Sequence, residues 1–310
     1  MIRSNKAADS LRNAGGVSRL HKNKSPNNQI GVALLFLLPA LVALLVMRLL
    51  PAGYSFIESL NKTNVFTNQR TFVGLGNYIE LFKNPEFINT IKVTLLFTLL
   101  VNPIQIVTAT ALAILFTRRF PLRGLLRSFI IFPIAVPPAV SAVVWSAIYR
   151  PDGLANAMLK SVGIPAQEWI ISSHQSLISI IILLSWIGCG YWMLFLIAGI
   201  NDISSEVYEA STIDGAGFLR QTFSITLPLI KRSLTFVLVA DTVSNFLIFA
   251  PVSILTNGGP DGSTSLLMFD IFTRAYSFGD VGKSSAAVFI LVILMLIAVV
   301  GQFGLLRSKE

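Results

Sequence analysis

Long apolar runs alternate with short polar segments along most of this chain. A helix needs about 20 residues to cross a bilayer, and six runs reach that length. They lie at residues 30–52, 93–116, 125–149, 176–200, 231–255 and 284–306. No seventh run is found. The pattern predicts an all-α integral membrane protein with six transmembrane helices, in which residues 1–29 form a polar, basic tail and residues 30–310 form the membrane domain.

Composition supports this reading and excludes a soluble domain. Hydrophobic residues make up 54% of the 310 residues, charged residues 13%, and the mean hydropathy is +0.71. The first apolar run, from Ile30 to Leu50, is longer than the core of a cleaved signal peptide, which has about 7–15 residues. No small-residue cleavage site follows it, so we expect this run to remain as a membrane span.

The distribution of basic residues predicts the orientation. Most of the 24 lysines and arginines fall in the tail, in segments 118–127 and 220–232, and at the carboxyl end of the chain. Because positive residues accumulate on the cytoplasmic side, both termini and the loop at residues 201–230 are predicted to be cytoplasmic. The same bias, together with anionic lipid headgroups, accounts for the net charge of +9, so no nucleic-acid partner is predicted.

The loop at residues 201–230 has the chemistry of a capped helix followed by a turn. Ser204 or Ser205 is a suitable N-cap, and Glu206 lies where the helix dipole favours negative charge. Gly215 then allows the chain to turn, and Pro228 suits the start of the next span. We therefore predict a compact polar knob between two membrane spans.

The spacing inside this loop resembles the signature of permease subunits in binding-protein-dependent ABC importers. That signature reads E-A-A, three residues, G, nine residues, I-x-L-P, and here it runs from Glu209 to Pro228 with Ser211 in place of the second alanine. The resemblance implies the type I ABC importer permease fold, with a cytoplasmic coupling helix that docks in a groove of an ATP-binding subunit. The predicted coupling residues are Glu206, Glu209, Ala210, Asp214, Gly215, Leu227 and Pro228.

Two further strings resemble one permease-subunit class of maltose-type carbohydrate importers. They are G-L-G-N-Y at residues 74–78 and T-N-G-G-P at residues 256–260. The resemblance implies a sugar or related polyol as substrate and a location in the bacterial inner membrane. It also implies three kinds of partner: a second permease subunit, two ATP-binding subunits that carry ATP and Mg, and an extracytoplasmic sugar-binding protein. A homodimer of permeases is the alternative to a heterodimer, and this chain itself is expected to bind no cofactor.

Polar residues inside the third to fifth runs are the candidates for a substrate path. Asp241 is an acid within an apolar run, which is costly and therefore points to function. Thr242 and Asn245 recur near it at helical spacing, and hydroxyl, amide and carboxyl groups recognise polyols. The full set is Ser141, Ser185, Gly188, Tyr191, Asp241, Thr242 and Asn245, of which all but Ser185 and Asn245 also match sugar-contact positions by the resemblance. The alternative interpretation is that these groups bond neighbouring helices to one another.

Other function classes have weaker support in the sequence. Residues 279–284 look like a phosphate-binding loop, but they have two rather than four residues between the glycines. The two histidines lack metal-ligand spacing, and the single cysteine, Cys189, excludes an internal disulfide. An ion-coupled secondary transporter is disfavoured because no internal repeat is seen. Within ABC importers, glycerol phosphates, polyamines, amino acids and anions remain alternative substrates.

Overall fold

The computed structural model describes residues 26–63, 69–118 and 120–307, and the side chains of residues 33–304 within those ranges. The α-helices are α1 Pro26–Leu44, α2 Leu50–Ser59, α3 Gly76–Lys83, α4 Pro85–Thr117, α5 Arg123–Ile131, α6 Pro138–Ile148, α7 Leu154–Ser161, α8 Ser176–Asn201, α9 Ser205–Ile213, α10 Phe218–Gln221, α11 Leu227–Leu229, α12 Lys231–Phe246, α13 Ala250–Leu255, α14 Leu267–Phe272 and α15 Val281–Arg307. Strands β1 Asn61–Thr63 and β2 Arg70–Phe72 pair antiparallel. The chain divides into two units, residues 1–55 and residues 56–310.

The first unit contains α1, a π-helical turn at Leu45–Leu49 and the start of α2. The helix begins at Pro26, four residues before the predicted start of the span, and α2 carries it on to Ser59 rather than to residue 52. Side chains 33–54 are exposed, as expected for an apolar helix whose surroundings are lipid rather than water. The predicted tail up to residue 25 lies outside the described residues.

The second unit is built around α4, α8, α12 and α15. Among the described residues, four helices, one of them in the first unit, are long and apolar enough to cross a membrane, or six if each of two bent pairs forms one span. Helices α4 and α8 pack on each other, and α12 packs on α4, α8 and α15. The second span begins at Pro85 rather than at residue 93, because Asn84 caps the helix by accepting hydrogen bonds from the amides of Glu86 and Phe87.

The third and fifth predicted spans are not continuous helices. Residues 123–135 and 138–148 meet at 105°, because Pro137 and Pro138 lack amide hydrogens and the residue before a proline avoids the helical region. The fifth run breaks between Phe246 and Ala250, and its first part meets residues 218–229 at 69°. Sequence hydrophobicity gave the positions of these runs but not their breaks.

Polar contacts fix the β-hairpin and α3 to the start of α15. Asn77 Nδ2 donates to the carbonyls of Ser59 and Asn61 at 2.8 and 2.9 Å. Glu80 pairs with Lys62 at 3.1 Å and with Lys283 at 2.9 Å. These two hydrogen bonds lower the pKa of Glu80 below its ordinary value of 4.5. The ion pair with Glu80 also occupies Lys283, which belongs to residues 279–284, the segment that looks like a phosphate-binding loop.

Candidate functional site

Residues 204–230, here named the knob, form the first candidate site. Helix α9 begins after Ser204, whose Oγ accepts a hydrogen bond from the amide of Glu206 at 3.3 Å, so the predicted N-cap is confirmed. The helix ends at Ile213, with Asp214 as its C-cap. Gly215 follows with a φ of +73°, a left-handed conformation that glycine adopts without steric cost. The predicted turn therefore has a specific backbone cause.

Side-chain hydrogen bonds clamp α9 onto the segment that follows the turn. Gln221 Nε2 donates to Ser211 Oγ and to Thr212 Oγ1, each at 3.1 Å. The hydroxyls of Tyr208 and Thr226 are 3.0 Å apart. Ser211 is buried, so the one departure from the signature supplies a polar contact that an alanine would lack. The knob is consequently an ordered unit rather than a loose loop.

The outer face of the knob combines acids with exposed apolar side chains. Glu206, Glu209, Ala210 and Asp214 are all exposed. Ile213, at the end of α9, is 87% exposed. Phe218, Leu219 and Phe223, which follow it in the sequence, are exposed as well. Apolar groups left open next to charged ones are typical of a surface that contacts another protein.

The other predicted coupling residues lie at the base of the knob. Leu227 packs against the buried cluster formed by the neighbouring ends of α4, α8 and α12, which includes Ile200 and Ile230. Pro228 is exposed within α11, one residue before the bend into α12. A second attachment comes from Arg118, at the end of α4, whose guanidinium lies 3.8 Å from the ring centroid of Phe218. The knob is thus joined directly to three long helices.

A cavity among the long helices is the second candidate site. It has a volume of about 190 Å³. Its lining residues come from α4, the break in the third span, α8 and the stretch from α12 to Ile248, and they are Gln105, Ile134, Val136, Pro138, Leu184, Ile187, Gly188, Tyr191, Trp192, Asp241, Ser244, Asn245 and Ile248. Four predicted path residues, Gly188, Tyr191, Asp241 and Asn245, therefore meet at one place. The proline break supplies one wall of this cavity.

Asp241 is the acidic residue of the cavity lining. Its side chain is 1% exposed, and within the described part of the chain Oδ2 has no hydrogen-bond partner. Trp192 and Asn245 lie beside its carboxyl group. The lining contains no lysine, arginine or histidine. A buried carboxyl oxygen without a partner is costly, and a bound polar solute would reduce that cost.

A chain of amide side chains extends behind the cavity wall from two lining residues, Gln105 and Asn245. Asn245 Nδ2 donates to Asn102 Oδ1 at 2.8 Å and to Gln105 Oε1 at 2.9 Å. Asn102 Nδ2 and Gln302 Nε2 both donate to Thr242 Oγ1 at 2.7 Å. Sequence reasoning missed Asn102, Gln105 and Gln302. Two amides three residues apart inside an apolar run were the available signal, although their partners on other helices could not be read from it.

Gly188 leaves the space that Gln105 occupies. A Cβ at position 188 would stand 2.7 Å from Gln105 Nε2 and 3.1 Å from its Cδ. Gln105 uses that space to donate to the carbonyl of Leu184 at 2.8 Å. Gly188 therefore shapes the cavity by lacking a side chain, in addition to lining it.

Three predicted path residues lie outside this cavity. Ser141 is buried on α6, and its Oγ has no hydrogen-bond partner in the described part of the chain. Ser185 lines a different cavity, together with Trp186 and Cys189, because it is turned by roughly 120° from Tyr191 around the α8 axis. Thr242 lies behind the wall, in the amide chain. The spacing that grouped these residues in sequence did not place them on one surface.

Metal binding has no structural support in the described residues, where no cluster of three histidine, cysteine, aspartate or glutamate side chains is found. The knob offers exposed acidic and apolar side chains, and the cavity offers hydrogen-bonding groups.

Comparisons with known proteins agree on one family. Residues 105–307 match the family described as "Binding-protein-dependent transport system inner membrane component". The trehalose/maltose transport system permease protein MalF of Thermococcus litoralis is 33% identical over 263 residues, covering 84% of this chain and 89% of that protein. The sn-glycerol-3-phosphate transport system permease protein UgpA of Yersinia pestis is 32% identical over 281 residues, covering 89% and 94%.

Solved structures show the same fold at lower identity. A chain of a bacterial ABC transporter involved in the import of the acidic polysaccharide alginate has a TM-score of 0.78 and 19% identity, covering 91% of this chain and 98% of that one. The same transporter in complex with an alginate pentasaccharide-bound periplasmic protein gives a TM-score of 0.78, covering 90% and 95%. The predicted ABC importer permease fold is thereby confirmed.

Proposed function

The chain belongs to the family of binding-protein-dependent transport system inner membrane components, and we propose that it is the permease subunit of an ATP-driven importer for a sugar or related polyol. The observation that carries this proposal is the knob, where the signature residues fold into a clamped, exposed unit attached to the ends of three long helices. Both termini and the knob are assigned to the cytoplasm of a bacterial cell.

The knob is the contact for one of two ATP-binding subunits, which supply ATP, Mg and hydrolysis. Its exposed acids Glu206 and Glu209 and the apolar side chain of Ile213 offer charge and apolar area on one surface. Coupling requires that force applied there reaches the membrane. The contacts of Leu227 and of Arg118 provide that connection, so the knob and its adjoining helices move together when the ATP-binding subunits close.

The cavity beside Asp241 is one part of the substrate path. Its volume of about 190 Å³ is smaller than that of complete ligand pockets, which are about 300–1,000 Å³. We propose that a second permease subunit completes the pocket. The receptor that delivers the substrate docks at the opposite end from the knob, where residues 72–88 and 256–283 lie.

A sugar fits the cavity better than glycerol phosphate, although relatives of both kinds are about equally similar. Phosphate esters are usually held by arginine or lysine, and neither lines the cavity, whereas Asp241 does. Hydroxyl groups satisfy a carboxyl oxygen by donating to it. Glycerol phosphate remains the second candidate substrate on account of the UgpA relative.

Uptake by the reconstituted complex tests the proposal. The tagged chain is purified with its partner subunits, placed in liposomes with ATP inside, and supplied with receptor and radiolabelled maltose, trehalose or sn-glycerol 3-phosphate. We expect sugar accumulation that requires both ATP and receptor. Liposomes with a non-hydrolysable ATP analogue are the control. Accumulation without ATP, or driven by an ion gradient, would show instead that the chain is a secondary carrier.

A further inference from the structure

The amide chain behind the cavity wall has a fixed hydrogen-bond direction at Gln105. Its Nε2 donates to the backbone carbonyl of Leu184 at 2.8 Å. A carbonyl can only accept, so the nitrogen of this amide must face Leu184. The oxygen, Oε1, must then face Asn245.

The direction is also fixed at the other end of the chain. The hydroxyl of Thr242 donates to the carbonyl of Leu238 at 2.8 Å, which leaves Thr242 Oγ1 only its lone pairs. The amide nitrogens of Asn102 and Gln302 both donate to it. Because Asn102 turns its nitrogen toward Thr242, its oxygen must face Asn245.

Asn245 therefore stands between two acceptors. A primary amide has two hydrogens, and both are used, toward Asn102 and Gln105. Its Oδ1 remains as the side-chain atom available for a solute. Asn245 lines the cavity next to Asp241, whose Oδ2 has no partner in the described chain.

The third polar residue of this wall, Ser244, also offers an acceptor to the cavity. Ser244 donates its hydroxyl hydrogen to the carbonyl of Ala240 at 2.9 Å, so it offers lone pairs to the cavity. Across from α12, the donors in the lining are the hydroxyl of Tyr191, the indole N–H of Trp192, and the second hydrogen of Gln105 Nε2. The polar side chains of the α12 wall thus offer acceptor atoms at Ser244 Oγ, Asn245 Oδ1 and the unpartnered Asp241 Oδ2.

We propose that Asn102 and Gln105 are positioning residues that turn Asn245 so that the α12 wall presents adjacent acceptors, Asn245 Oδ1 and the Asp241 carboxyl group, to two neighbouring hydroxyl groups of the substrate. This inference rests on the proposed function, since it assumes that the cavity lies on the substrate path. To the proposed function it adds which hydrogen-bonding groups the cavity presents to the substrate: acceptors on the α12 wall. Neighbouring hydroxyls supply donors to this wall, whereas the oxygens of a phosphate dianion accept only and are repelled.

Substrate selection by the whole complex is the first test. Receptor-stimulated ATP hydrolysis is measured in nanodiscs with maltose, trehalose, glucose, glycerol and sn-glycerol 3-phosphate. We expect stimulation by at least one hydroxyl-only solute and little by the phosphate ester. Equal or greater stimulation by sn-glycerol 3-phosphate, with ATP dependence intact, would contradict the sugar assignment while leaving the importer function in place, because this solute also has two neighbouring hydroxyls for the α12 wall. No stimulation by any solute would contradict the sugar assignment itself.

Monodeoxy analogues of the stimulating solute then test the positioning residues. In the wild type, removing a hydroxyl that meets the α12 wall should raise the half-saturating concentration of loaded receptor about tenfold. The receptor is fully loaded in every assay, so its own preference cancels between wild type and variant. In Asp241→Asn and in Gln105→Met, this penalty should fall below about twofold, while the maximal stimulated rate changes less than the half-saturating concentration.

A variant of the same helix provides the control. Thr110→Val removes a hydroxyl that donates to the carbonyl of Ile106 at 2.6 Å, away from the cavity lining, and should keep the full deoxy penalty. An undiminished penalty in Gln105→Met would overturn the positioning role, and an undiminished penalty in Asp241→Asn would overturn the role of its carboxyl group. If Gln105→Met does not assemble, Asn102→Leu, which removes the other acceptor of Asn245, decides the positioning role.

Discussion

At the scale of single residues, the cavity beside Asp241 depends on one missing side chain and two amides. Gly188 makes room for Gln105, and Gln105 in turn orients Asn245. Sequence reasoning identified Asp241, because a lone acid in an apolar run is conspicuous. It missed Asn102 and Gln105, because helical spacing reveals which residues share a face but not which helix that face will meet.

Substitution of Gly188 tests this dependence. In Gly188→Ala, the new methyl group overlaps Gln105 and should push it away from Leu184, so sugar-stimulated ATP hydrolysis should fall about tenfold or more. Gly301→Ala is the matched control, since it also lies in a long helix and its Cβ would meet nothing within 4 Å. Equal activity of the two variants, measured in the purified complex, would show that Gln105 has no part in the site.

At the scale of elements, the breaks between helices do more to shape the cavity and the knob than the helices themselves. The apolar runs and the signature spacing predicted the long helices and the knob. The 105° bend follows from Pro137 and Pro138, whereas nothing in the hydrophobicity of the fifth run marks the end of α12 at Phe246. The third-span break builds one wall of the cavity, and the bend before Lys231 sets the knob against the long helices.

The turn of the knob yields a prediction with an internal control. Gly215 has a φ of +73°, whereas Gly217 has a φ of −70°, and a Cβ would meet nothing within 4 Å at either position. Gly215→Ala should therefore strain the turn by about 1 kcal/mol and lower the amount of sugar transported per ATP hydrolysed. Gly217→Ala should leave this ratio unchanged. Gly215→Asp also adds bulk and negative charge at this exposed turn, and normal uptake by that variant would remove the turn from the coupling mechanism.

The ion pairs of Glu80 give the outer hairpin a dependence on pH. Hydrogen bonds from Lys283 and Lys62 lower the pKa of Glu80, so the stabilisation is present above the ordinary value of 4.5 and is lost as pH falls through the lowered value. Amide exchange in β1 and β2 should be severalfold faster in Glu80→Gln than in the wild type at pH 7, and the difference should vanish in acid. Asp152→Asn, which breaks an exposed pair with Arg150, should not change exchange in these strands.

At the scale of the whole molecule, two sites lie at different positions along the same helices. The knob joins the ends of α4, α8 and α12, and the cavity lies farther along those three helices. A two-state movement of this bundle would therefore change both sites together, which is the requirement for coupling ATP hydrolysis to transport. Through its resemblance to ABC importer permeases, the sequence predicted a link between the two sites. The contacts of Arg118 and Leu227 that form this link were visible only in the fold.

The measurement that tests the account most directly is purification of the tagged chain in mild detergent, followed by an ATPase assay with sugar-loaded receptor. The account predicts that an ATP-binding subunit and a second permease co-purify, and that loaded receptor stimulates hydrolysis in the wild type but not in Gly215→Asp. A chain that purifies alone and transports sugar in liposomes without ATP would contradict it.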